Sequence, residues 1–169
     1  MPDIKIQEKL TDKDIALLYQ TVRVAHEALM RGCHPFGALL ADKDGNILIE
    51  QGNDKDASPC LHAETALMIR AGKLYDRQFL EQCSMYTNFE PCVMCTGAVY
   101  WTGVSRIVYG VSEAQLKKLT GDHDENPTFS LSTAEVLRHG QRDMVVAGPT
   151  ADSDLVAAIL KDHLDFWKH

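Results

Sequence analysis

Two short clusters of metal-binding side chains, His62-Ala63-Glu64 and Pro91-Cys92-Val93-Met94-Cys95, constrain this chain more than any other feature. If they serve one ion, the fold must bring them together. His62, Cys92 and Cys95 offer a set of ligands suited to zinc, and zinc sites that do chemistry keep an open position for water beside their protein ligands. Glu64 follows the histidine closely enough to move protons for that water. Cysteines spaced as Cys92 and Cys95 lie on one helical turn and reach a single ion, with His62 closing the site from a neighbouring helix. Both clusters fall where helices are expected to begin, and the helix dipole there helps to hold thiolates.

Two rival readings use the same cysteines. A C-x-x-C pair also serves dithiol redox chemistry, but such chemistry has no need of the His-x-Glu upstream. A closed structural zinc site would need a fourth ligand, for which Cys60 is the candidate, and would leave Glu64 idle. Otherwise Cys33, Cys60 and Cys83 read as small buried hydrophobes. The chain has 5 cysteines and no signal-peptide core at its start, which argues against a disulfide framework.

A net charge of -7 counts against tight nucleic-acid binding, which relies on Lys and Arg against phosphates. It shifts the expectation to a small, neutral substrate. No apolar run approaches the ~20 residues needed to cross a bilayer, so no membrane partner and a cytoplasmic setting are expected. Residues 1–169 carry no repeat or linker and read as a single domain.

Apolar residues at spacings of three and four predict a helix from Thr11, its N-cap, to Arg31, stopped by Gly32. Phe36–Ala41 and Ile47–Gly52 read as a hairpin turning at Asp44-Gly45. Ala63–Ala71, ended by Gly72, reads as a helix, Ser84–Thr87 as a strand and Cys92–Trp101 as a helix that Tyr100 and Trp101 help to pack. Arg106–Gly110 and Met144–Ala147 read as strands flanking a helix at Ser132–His139, hence parallel. Asp152–Trp167 reads as one amphipathic helix. After Ser112 come a short helix and a polar loop, Gly121–Pro127, whose Asp122, Asp124 and Glu125 are each able to accept from an amino group. The class is α/β.

With these motifs in view, the whole chain resembles the zinc-dependent cytidine-deaminase-like superfamily, whose signature is H-x-E with P-C-x-x-C. His34-Pro35-Phe36-Gly37-Ala38-Leu39-Leu40, Gln51-Gly52-Asn53 and the run Glu90–Ala98 resemble its guanine deaminase and tRNA adenosine deaminase branch. The resemblance implies an α-β-α sandwich on a five-stranded mixed sheet, one Zn2+ per subunit at His62, Cys92 and Cys95, Glu64 as proton shuttle, and a homodimer whose partner helps wall the pocket. It also implies that Asn53 binds the base, beside Ala63, and that Phe36 stacks on it; the plain alternatives are a hairpin-end cap and a core residue. Phe166 and Trp167 are core anchors or, by the same resemblance, a lid over the pocket. The leading expectation is hydrolytic deamination of a free nucleobase or nucleoside, guanine or guanosine first. A tRNA adenosine deaminase, a cytosine deaminase and a silent structural zinc subunit are the alternatives.

Overall fold

Thr11 opens the first helix as the sequence predicts. In this computed structural model, which describes residues 1–168, α1 spans Asp12–Met30 and begins with a reciprocal cap. The Thr11 hydroxyl accepts from the Asp14 N–H at 3.1 Å, and the Asp14 carboxylate accepts from the Thr11 N–H at 3.0 Å. Asp14 also joins the helix to the sheet. Its carboxylate takes two hydrogen bonds of 2.9 Å from the Arg106 guanidinium and one of 2.8 Å from the Tyr86 hydroxyl. Burial pulls this carboxyl up, but Arg106, Thr11 and Tyr86 outweigh it and hold it at about 2.

The sheet has six strands, not the expected five: β1 (Ile4–Gln7), β2 (Gly37–Ala41), β3 (Ile47–Gly52), β4 (Ser84–Phe89), β5 (Arg106–Val111) and β6 (Met144–Ala147), in the order β1-β6-β5-β4-β2-β3. The sixth is β1, paired in parallel with β6 from Ile4 against Met144 to Gln7 against Ala147. It is a short edge strand with one neighbour, so its sequence stays half polar and reads as a tail. The hairpin β2–β3 is antiparallel, β2 also runs antiparallel to β4, and β4, β5 and β6 run parallel.

Helices cover both faces. On one lie α2 (Ala63–Leu74), the short α3 (Arg77–Leu80), α4 (Val93–Thr102) and α6 (Thr133–Arg138), with Leu67, Met68, Val99 and Leu137 packed on Leu40, Met85, Ile107 and Val146. On the other lie α1, α5 (Glu113–Thr120) and α7 (Ser153–Lys161), with Leu18, Leu116 and Ile159 against Leu39, Tyr86 and Val108. Met85 and Tyr86, like Ile107 and Val108, send consecutive side chains into opposite cores, which is why these strands are apolar throughout. At the start of β2, α1 passes so close that a Cβ on Gly37 would lie 2.4 Å from the Thr21 carbonyl oxygen.

Four expectations need correction. Gly72 does not end α2: a Cβ there would meet only Thr102 at 3.7 Å, and the helix continues to Leu74. The C-terminal helix is two helices, α7 and α8 (His163–Phe166), meeting at Asp162. His163 turns inward there, donating from Nε2 to the Pro35 carbonyl at 2.7 Å and accepting at Nδ1 from the Trp167 indole N–H at 3.1 Å. Trp101 is 83% exposed and touches only the edge of Tyr100 among the described aromatic rings, while Tyr100 is half-buried and accepts from the Gln141 N–H at 3.0 Å. Cys33 and Cys83 are buried, but Cys60 is exposed.

Two outcomes follow from these contacts. Arg106→Leu leaves Asp14 buried without its cation and should cost about 3 kcal/mol in urea unfolding. His163 is held neutral, its pKa lowered from 6.5 to about 4 by burial. As pH falls from about 6.5 to about 4, the unfolded chain binds the extra proton and the native state resists it, so up to about 3 kcal/mol of stability is lost. Thermal melts across that range should show a steeper acid decline for the wild type than for His163→Gln.

Candidate active site

The ends of β3 and β4 and the starts of α2 and α4 converge at one point. His62 is the N-cap of α2 and Cys92 the N-cap of α4, and neither side chain caps its own helix. They face each other instead, with Cys92 Sγ 3.7 Å from His62 Nδ1. The ligand atoms of His62, Cys92 and Cys95 all lie within 4.8 Å of one another, and theirs is the metal-capable group found among the described residues. Ligands of a tetrahedral zinc at bond lengths of about 2.0–2.3 Å sit roughly 3.5 Å apart. Two sulfurs and an imidazole nitrogen at these separations suit that ion, and the exposed Cys60 stands outside the group.

The electrostatics favour a thiolate before any metal arrives. A hydrogen bond from Cys95 lowers the Cys92 thiol to about 4, burial opposes this, and the His62 contact adds to the lowering. Cys95 is pushed up by that same hydrogen bond and by burial, and its sulfur accepts the Thr65 hydroxyl at 3.2 Å. His62 is raised, chiefly by its contact with Cys92.

Glu64 sits in the first turn of α2, buried. The Thr87 hydroxyl of β4 donates to Glu64 Oε1 at 2.8 Å, and Oε2 lies 3.6 Å from Cys95 Sγ. Burial raises its pKa above the ordinary carboxylate value, against the opposing pull of His62 and the Thr87 hydrogen bond.

Beside these groups is a cavity of about 40 Å³, lined by His34, Phe36, Asn53, His62, Glu64, Phe89, Glu90, Cys92, Glu113, Leu116 and Asn126. Asn53 follows β3, and its buried Oδ1 has no hydrogen-bond partner. Phe36 lies at the wall, its ring against Phe89, His163 and Trp167. Ala63 is fully buried and does not reach the cavity. Nor do Phe166 and Trp167, which pack on His34 and, for Trp167, on Phe36, from behind and in the same chain. Of the polar loop, Glu125 meets His34 Nε2 at 3.0 Å and, with Asp124, lines an outer hollow shared with Lys55, Asn53 and His62.

Several residues in and beside the cavity carry roles that motif reading did not assign. Glu90 spends both carboxylate oxygens on helix starts, accepting from the Glu113 N–H at 3.0 Å and the Thr133 N–H at 2.9 Å. Asn88 pins the strand before the cavity, donating to the Pro35 carbonyl and accepting from the Gly37 N–H, each at 3.1 Å. Glu113 and Leu116 come from α5, just past the carboxyl end of β5. Ligands of open α/β sheets lie outside the carboxyl ends of parallel strands, and that rule was the one signal pointing to them.

The comparisons with known proteins agree with this geometry. Residues 11–111 match the family model described as the cytidine and deoxycytidylate deaminase zinc-binding region. The Schizosaccharomyces pombe protein named "Probable cytosine deaminase" is 33% identical over 94% of this chain and 95% of its own length. Guanine deaminase of Bacillus subtilis is 38% identical over 54% of this chain and 60% of its own. A solved structure of guanine deaminase from Nitrosomonas europaea shares the fold, with a TM-score of 0.65 at 21% identity over 93% of this chain and 87% of that one. A three-layer α-β-α sandwich, a His-Cys-Cys cluster fit for zinc, the family-model match over residues 11–111 and the whole-length likeness to the S. pombe protein place the chain in the zinc-dependent cytidine and deoxycytidylate deaminase family, as an enzyme that hydrolyses C–N bonds.

Proposed function

We propose that the protein hydrolyses the exocyclic amino group of a free nucleobase, guanine first, releasing ammonia. The observation that carries this reading is Glu64, buried beside the zinc ligands and lining a cavity that also holds the unpartnered Asn53 Oδ1. A buried acceptor without a partner is costly, and a ring N–H of a bound base would satisfy it. Zinc at His62, Cys92 and Cys95 supplies the Lewis acidity that makes water a nucleophile near neutral pH. The rest is the work of the chain. Glu64 takes the proton of the attacking water, passes it to the ring nitrogen, and returns a proton to the departing amine, so that base and water become oxo-base and ammonia. Thr87 holds the carboxylate in place for both transfers. Phe36 offers its ring as one wall for the base.

Cytosine is the second reading, favoured by the S. pombe relative, whose likeness covers 94% of this chain. The chain's charge of -7 speaks against a tRNA substrate. Glu64→Gln should keep stoichiometric zinc and lose turnover by about 10²–10⁴-fold, read as ammonia release from guanine, guanosine, adenine, cytosine and cytidine. His62→Ala and Cys92→Ser should lose both zinc and activity. Turnover surviving in Glu64→Gln would remove the shuttle role.

A further inference from the structure

Among the acids lining the cavity, Glu64 is assigned to the proton shuttle and Glu90 holds two helix starts, which leaves Glu113 without a task. It opens α5 at a position where an exposed carboxylate would serve the helix dipole equally well. Instead it is 5% exposed and lines the same cavity as His62, Glu64, Cys92 and Asn53. Its backbone N–H is committed to Glu90, yet among the described residues no hydrogen bond or ion pair reaches its carboxyl. Burial pushes its pKa up to about 8, with Cys92 and Glu64 adding to the rise. A carboxyl held in a largely buried residue at the cavity wall, with no protein partner, is placed to meet a ligand.

The remaining lining residues indicate which kind of ligand that is. No Lys or Arg lines the cavity, so no cation of the protein is there to pair with Glu113. Asn53 Oδ1, buried and without a partner, is also an acceptor. A ligand that brings N–H donors would satisfy both Asn53 Oδ1 and a carboxyl oxygen of Glu113. We infer that Glu113 contacts the substrate, accepting a hydrogen bond from a ring N–H of the bound base, and so selects a donor-rich base. Guanine carries ring N–H groups on two edges besides the amino group it loses. Cytosine carries one, and a nucleoside loses the N–H at its glycosidic position. This inference rests on the nucleobase reading above and narrows it.

The test uses the zinc-loaded Glu64→Gln protein as a binding-competent, non-turning-over parent, with Glu113→Ala or Glu113→Gln added. Calorimetry would measure binding of guanine, 1-methylguanine, 9-methylguanine, cytosine and 1-methylcytosine. In the parent, blocking the N–H that Glu113 reads should weaken binding at least tenfold. In the Glu113→Ala background that penalty should shrink to within about twofold, because the acceptor is already gone. Zinc content and melting temperature should stay at parental values, most securely for the isosteric Glu113→Gln. Equal methylation penalties with and without Glu113, at unchanged zinc and melting temperature, would overturn the inference. Unchanged base affinity with weakened self-association would also overturn it, assigning Glu113 to a subunit contact beside Phe129 and Leu131, which share a neighbouring hollow with it. If the parent binds none of the bases, the nucleobase reading itself fails and this inference goes with it.

Discussion

The site depends on two helices starting side by side. α2 and α4 emerge from different strand ends, yet their N-cap residues, His62 and Cys92, turn away from their own backbones and meet at 3.7 Å. That gives the zinc cluster its geometry and leaves free helix N–H groups and dipoles on the side where negative charge gathers. The same meeting buries Glu64 in the first turn of α2, against Thr87 of β4. Ligand set, Glu64 and cavity therefore share one origin.

Keeping those two helix starts in register is the task of the surrounding fold. Parallel strands β4 and β5 end together beneath the cavity, and Glu90 caps α5 and α6 with one carboxylate. Asn88 ties the start of β2 to β4. At the opposite end of the same strands, Arg106 binds Asp14 and Tyr86 and fixes α1 to the sheet. His163 and Trp167 close the back of Phe36, so the C-terminal helices support the wall of their own chain's cavity without lining it.

What could be read in advance follows from the range of the interactions. Residues that act through local spacing were legible: His62 with Glu64, Cys92 with Cys95, Thr11 as a cap, and the strands buried on both faces. The parallel pairing of β5 and β6 followed from the helix between them. Long-range partners left little trace. β1 is defined by a neighbour some 140 residues away, and nothing in Ile4–Gln7 announces it. The break at Asp162 depends on a carbonyl at Pro35, and Gly72 misled because tight packing, absent there, is what would have made it a stop. Glu113 looks like any acidic helix start until the cavity is seen.

The central claim is an open zinc site held by one histidine and two cysteines. X-ray absorption at the zinc edge of the loaded protein tests it most directly. The account predicts two sulfur scatterers at about 2.3 Å, and one nitrogen and one exchangeable oxygen at about 2.0 Å. A shell of three sulfurs and no exchangeable oxygen would mean a closed structural site that recruits another cysteine, and would contradict it.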